Sequence, residues 1–154
     1  IMEYSIEDAV PKDAIKISSL LYTSLSNGPD KNFKIDKERL LNHVIETIIS
    51  ANGFSIVLKN DDEVVGCFMG AITQHAYANV YQAAELGVYI EFKHRGSGNF
   101  EKMLDRFIEW SQMKPDICMT LFSIGQLNAT TPYVRKQLKD RGFIKADESY
   151  YLMR

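Results

Sequence analysis

The stretch Glu85–Leu104, ELGVYIEFKHRGSGNFEKML, decides the fold. Glu85 to Ile90 is β-favouring and mostly apolar. Arg95-Gly96-Ser97-Gly98 is a short, flexible turn carrying one cation. From Phe100 the apolar residues fall at 100, 103, 104, 107 and 108, the i, i+3, i+4, i+7, i+8 stripe of a helix with one buried face. The stretch therefore predicts strand, tight turn, helix. A glycine turn feeding a helix N-terminus gathers unpaired backbone N–H groups at the positive end of the helix dipole. That combination is an anion site, and phosphate is its usual guest.

On the N-terminal side, Glu3–Val10 reads as a first strand, closed by Pro11 at the first turn of a short helix with Ile17, Leu20 and Leu21 on its apolar face. Ser26-Asn27-Gly28-Pro29-Asp30 is a turn cluster. Asp36 can then cap a second helix whose stripe Leu40, Leu41, Val44, Ile45, Ile48, Ile49 stops at Asn52-Gly53. Phe54–Leu58 and Val64–Ile72, joined by the polar turn 59–63, form a β-hairpin. Thr73–Gln82 reads as a loop carrying His75, Tyr77 and Tyr81. On the C-terminal side, Lys114-Pro115-Asp116 breaks the long helix and Ile117–Ile124 is a strand. Pro132 opens a helix ending at Arg141-Gly142-Phe143, and Tyr150–Met153 is a terminal strand.

The order is β-α-α-β-β-β-α-β-α-β. The hairpin requires antiparallel pairing, and the strand–helix–strand unit from Glu85 to Ile124 is a right-handed crossover between parallel strands. Both are met by an α/β (α+β) arrangement: a mixed, twisted sheet of about six to seven strands with helices on both faces. Without repeats, low-complexity tracts or a linker, residues 1–154 read as one domain.

Composition narrows the classes. With 154 residues, 45% hydrophobic and net charge −2, the chain suits a compact core. No basic block points to nucleic acid or an acidic membrane surface. Cys67 and Cys118 both sit in apolar strand-like runs and read as core residues rather than a disulfide. No apolar run reaches the roughly 18 residues of a membrane span, and no signal-peptide pattern opens the sequence, so the expected location is cytoplasmic.

Several chemistries do not fit the turn. A Walker loop needs Lys and Ser/Thr after its last glycine, where Asn99-Phe100 stand. A dinucleotide fingerprint needs three glycines at another spacing, and no Gly-x-Ser-x-Gly elbow exists. The three histidines are isolated, with no pair at metal spacing, so no metal is expected.

The sequence resembles the GNAT superfamily of N-acetyltransferases over nearly its whole length. The element order is similar to that family's. KNDDEVVGCFMG resembles its second and third strands, with Gly66 at a usual glycine. VYIEFKHRGSG resembles the Arg/Gln-x-x-Gly-x-Gly/Ala motif, and Asn128 with the helix ending in Arg141-Gly142-Phe143 resembles the following motif. The resemblance implies acetyl-CoA as co-substrate. Arg95 takes the Arg/Gln position, and the backbone of Gly96, Ser97, Gly98, Asn99 and Phe100 would cradle the pyrophosphate. Val88, Tyr89 and Ile90 would pair with the pantetheine arm, and Asn128 would hydrogen-bond it. The acceptor would be a primary amine on a small molecule or protein, attacking the thioester directly. Dimers are common in the family.

Two positions depart from the pattern. Phe100 stands where the family has Gly or Ala; its side chain reads as the start of the buried helix stripe rather than as a cofactor contact, and it narrows the room for phosphate. Leu138 stands where some members carry a tyrosine general acid. Tyr133, five residues earlier, is the alternative acid, against the reading of a ring packed on the sheet. Glu85 is the expected base, directly or through a held water; simple alternation places it with Gly87 and Tyr89 on one face, opposite Leu86, Val88 and Ile90. A solvent-facing strand residue is the competing reading. His75 is a second candidate base. The rivals to an enzyme are a GNAT-shaped module that no longer catalyses, and an unrelated α/β domain whose turn binds nothing.

Overall fold

The computed structural model describes residues 3–125 and 130–152. Five strands stand in the order β1-β2-β3-β4-β5: Tyr4–Asp8, Gly53–Asn60, Glu63–Gln74, Tyr81–Ile90 and Ile117–Leu121. The first four pair antiparallel, and β4 pairs β5 parallel, so the sheet is mixed as expected. The described elements also include four α-helices, α1 Ala14–Leu25, α2 Lys37–Ile49, α3 Asn99–Gln112 and α4 Thr131–Asp140, and three short 3-10 turns.

Alternation along the strands builds two cores. Phe54, Ile56, Leu58 and Phe68 face α3 and α4, meeting Met103, Leu104, Phe107 and Leu138. Val57, Cys67 and Met69 face α1 and α2, meeting Ile17, Leu20, Leu21 and Val44. Helices therefore cover both faces. Glycine permits a close approach of β3 to α3: a Cβ on Gly70 would lie 2.6 Å from Phe107 Cε1. Gly70→Val should thus lower stability by about 1–3 kcal/mol through overpacking; a urea midpoint equal to the wild type's would contradict the packing.

The caps follow the sequence. Asp36 accepts from the Arg39 N–H at 3.0 Å and starts α2. Gly142, at φ 86°, ends α4 as its N–H reaches Lys139 O (3.0 Å) while the Phe143 N–H reaches Leu138 O (3.0 Å), a Schellman stop. α3 is tied to its neighbours by Arg106 to Ile6 O (3.3 Å) and Asp8 (3.1 Å), and by Arg141 to Asp105 (2.5 Å).

Four expectations need correction. Residues 143–152 hold no strand, and Tyr150 and Leu152 are exposed. Their pattern suits a strand, but strand stability comes from a paired neighbour, and none pairs with them among the described residues; the sheet there has five strands rather than six or seven. The expected loop 73–82 shrinks to 75–80, because the hairpin ladder runs on to the pair Gln74–Tyr81. β5 ends at Leu121 rather than Ile124. Cys67 is fully buried, its thiol pushed up to about 12 by desolvation, but Cys118 is exposed, because β5 is an edge strand that turns it outward.

Candidate functional site

β4 is the axis of the site. On one side it pairs with β3 along its full length; on the other, β5 pairs with it only from Tyr81 to Ala84. From Glu85 to Ile90 that second edge is open among the described residues. The Glu91 N–H donates to Val65 O at 2.9 Å. Antiparallel alternation then turns the amide groups of Ile90 and Val88 outward to the open edge and those of Tyr89 inward to β3. Of the three residues expected to pair with a ligand strand, Val88 and Ile90 therefore present backbone, while Tyr89 does not.

A bulge shapes the start of this edge. Met69 faces Gly87 while Gly70 faces Glu85, leaving Leu86 without a partner on β3. The bulge overturns the simple alternation expected for Glu85. Glu85 shares the α3 face with its partner Gly70, whereas Gly87 lies under Leu21 of α1 and Tyr89 packs on the α1–α2 side. A strand with one extra residue changes face at that residue.

Glu85 is half-buried and accepts a long hydrogen bond from the Ser123 N–H (3.4 Å), across the gap that opens beyond the β4–β5 ladder. Burial raises its carboxyl to about 7, and the Ser123 N–H pulls partly against that rise. A carboxylate with a pKa near the working pH suits proton abstraction.

At the far end of the edge lies the turn. Gly96 and Gly98 adopt φ of 82° and 81°, where side chains are strained, and a Cβ on either would meet nothing within 4 Å among the described residues. The first bond of α3 runs from the Lys102 N–H to Gly98 O (3.3 Å), and Gly98, the N-cap, has no side chain to cap the helix. Among the described residues, the N–H groups of Gly96, Ser97, Gly98, Asn99 and Phe100 donate to nothing. This is an open cradle of donors at a helix N-terminus.

The remaining side chains divide. Arg95 Nε donates to Ile90 O (2.7 Å), with its guanidinium over the Tyr89 and Phe92 rings at 5.3 and 5.8 Å. It bridges the open edge and the turn, and occupies the Ile90 carbonyl. Phe100 turns its ring into the core side, against Phe122 (6.3 Å) and Tyr133 (6.2 Å), so only its backbone faces the cradle. The Tyr133 hydroxyl donates to Glu101 in the first turn of α3. Leu138 is buried in the core. His75 Nδ1 accepts from the Tyr77 N–H at the hairpin tip; four residues of strand, roughly 13 Å, separate Tyr81 from Glu85, so His75 is not brought to the site. Asn128 lies outside the described residues.

Sequence reasoning missed the bulge at Leu86 and the Ser123 N–H. Gly87 inside a strand was the available signal, since an interior glycine marks a bulge or a close approach. Here it marks both, one residue apart. On the α1–α2 side, an open cleft of about 690 Å³ lies between the end of α1 and the start of α2, walled by Tyr22, Phe33, Lys31, Lys34 and Lys37. Among the described residues no helix is long and apolar enough to cross a membrane.

No protein-family profile matches the chain, and no curated protein is significantly similar to it. Solved structures are similar across almost the whole chain. A possible acetyltransferase from Clostridium difficile 630 shares 16% identity, with 98% of this chain and 97% of that one covered and a TM-score of 0.74. A predicted acetyltransferase from Clostridium acetobutylicum, solved with acetyl-CoA, shares 18%, with 99% and 96% covered and a TM-score of 0.73. A transcriptional regulator from Bacillus halodurans C-125 shares 18%, with 99% and 100% covered and a TM-score of 0.72. The chain has the GNAT-type acetyltransferase fold.

Proposed function

We propose that the protein is an N-acetyltransferase that passes the acetyl group of acetyl-CoA to a primary amine by direct attack. One observation carries this reading: the open edge of β4 runs from a half-buried carboxylate of raised pKa to a helix N-terminus with unpaired donors. The ligand this fits is long, strand-like in the middle and anionic at one end. Acetyl-CoA has that form, and its thioester supplies an activated acyl group.

Each residue then has a task. The N–H groups from Gly96 to Phe100 hold the pyrophosphate, with Arg95 adding charge beside them. Val88 pairs with the pantetheine amides as an added strand would, and Ile90 adds its N–H, its carbonyl being held by Arg95. Glu85, or a water it holds, takes the proton from the ammonium of the acceptor. A backbone N–H at the Leu86 bulge polarises the carbonyl. α1 lies beside β4 through the Leu21–Gly87 contact, and the α1–α2 connection that follows it forms a wall for the acceptor.

Arg95→Ala should weaken acetyl-CoA binding several-fold at low salt, with the difference shrinking as salt screens the charge. Equal affinities at low salt would remove Arg95 from the phosphate site. A thiol-release assay over a panel of amines tests transfer itself.

A second reading is favoured by two observations. Leu138 fills, with a buried side chain, the position of the tyrosine acid in some members, and the similar structures include one named for regulation. On that reading the chain binds acetyl-CoA but transfers nothing. Binding without thiol release from any amine is its signature.

A further inference from the structure

We propose that Tyr4 and His94 act as a positioning pair for the anion turn, holding the Gly96–Phe100 backbone in donor geometry from across the sheet. The inference rests on the acetyl-CoA reading and extends it to two residues outside the open edge and the cradle. His94 is 3% exposed and closes the 3-10 turn Phe92–His94 that leads into the glycines. Tyr4 belongs to β1, with two strands between it and β4. The Tyr4 hydroxyl meets His94 Nδ1 at 3.0 Å, and the two rings sit edge-on at 5.8 Å.

The line continues into the turn. His94 O accepts from Ser97 Oγ (3.3 Å), and Ser97 Oγ accepts from Asn99 Nδ2 (2.7 Å), with Asn99 only 4% exposed. Tyr4, His94, Ser97 and Asn99 thus join the first strand to the first residue of α3.

The chemistry explains why such a tie is needed. Gly96 and Gly98 are conformationally permissive, and among the described residues nothing packs where their side chains would be. A row of backbone donors binds an anion well only when it is held in place beforehand. The restraint must therefore come from the ends of the turn. Asn99 and Ser97 hold the helix end, and His94, gripped by Tyr4, holds the strand end. Burying an imidazole is costly unless it is hydrogen-bonded, and His94 is buried with the Tyr4 hydroxyl on its Nδ1; in return the hydrogen bond fixes the orientation of His94 in a way that apolar packing would not.

Binding of acetyl-CoA and of S-acetylpantetheine, which lacks the pyrophosphate, to wild type, Tyr4→Phe, His94→Phe and His94→Asn separates positioning from general support. Tyr4→Phe and His94→Phe should weaken acetyl-CoA about tenfold, while S-acetylpantetheine stays within about twofold. His94→Asn, which keeps a polar atom near the Nδ1 position, should retain most of the affinity. If His94→Phe does not fold, Tyr4→Phe, which removes a single oxygen, carries the test. Unchanged acetyl-CoA affinity in Tyr4→Phe overturns the proposal, and so does equal weakening of both ligands. A wild-type protein that binds no acetyl-CoA overturns the functional reading itself, and the positioning role with it.

Discussion

Glu85→Gln is expected to lower kcat by about 100-fold or more while leaving acetyl-CoA affinity unchanged. The exchange keeps the shape of the side chain and its hydrogen bond from Ser123 but removes the ability to take a proton. The pH dependence is the sharper readout. Burial raises the Glu85 carboxyl to about 7, so wild-type kcat should climb as pH rises through 7, and the variant should lose that limb. Stability moves the other way. Because the folded pKa lies above the ordinary value of 4.5, the folded state favours the protonated acid, and its stability declines as pH rises from about 4.5 through 7. Glu85→Gln should therefore be more thermostable than wild type at pH 8, by about 1–3 kcal/mol, and the gap should close at pH 4. A variant with full activity and an unshifted pH profile would move the base elsewhere.

Gly98→Val carries the second large effect. Gly98 sits at φ 81° as the N-cap of α3, and a β-branched residue there costs about 1–3 kcal/mol of backbone strain. The space around its Cβ is open, so the loss comes from backbone conformation rather than from a clash. If the chain relaxes by turning the peptide over, the N–H groups of Gly98 and Asn99 leave the cradle, and acetyl-CoA affinity should fall more than tenfold, on the order of one or two charge-assisted hydrogen bonds. Calorimetry and a thermal melt on the same sample separate the two effects. A variant that melts early but binds normally would show that those N–H groups do not hold the ligand.

The parts of this structure governed by local pattern were legible in the sequence. The α3 stripe at 100, 103, 104, 107 and 108, the Asp36 cap and the Gly142 stop all appear where the residues place them. The parts governed by pairing were not. Tyr150–Leu152 has a strand's composition, but a strand exists only against a neighbour. The 73–82 segment was too polar to announce that its ladder continues to Gln74 and Tyr81. At the site, the glycine turn and its donors could be read from Arg95 to Phe100, because turn chemistry is local. The face of Glu85 could not, because one unpaired residue at Leu86 shifts the alternation. Likewise, the division of labour between Val88 and Ile90 on the open edge and Tyr89 against β3 depends on register, which no single stretch encodes.

The acetyl-CoA site is tested most directly by titrating 15N-labelled protein with acetyl-CoA and following the backbone amides. A ligand lying along β4 and the glycine turn predicts saturable binding, with the largest shifts at Gly96, Ser97, Gly98, Asn99 and Phe100, a second group at Val88 and Ile90, and little change at the hairpin tip around His75. No shifts at millimolar acetyl-CoA, or shifts confined to residues away from β4 and the start of α3, would contradict it.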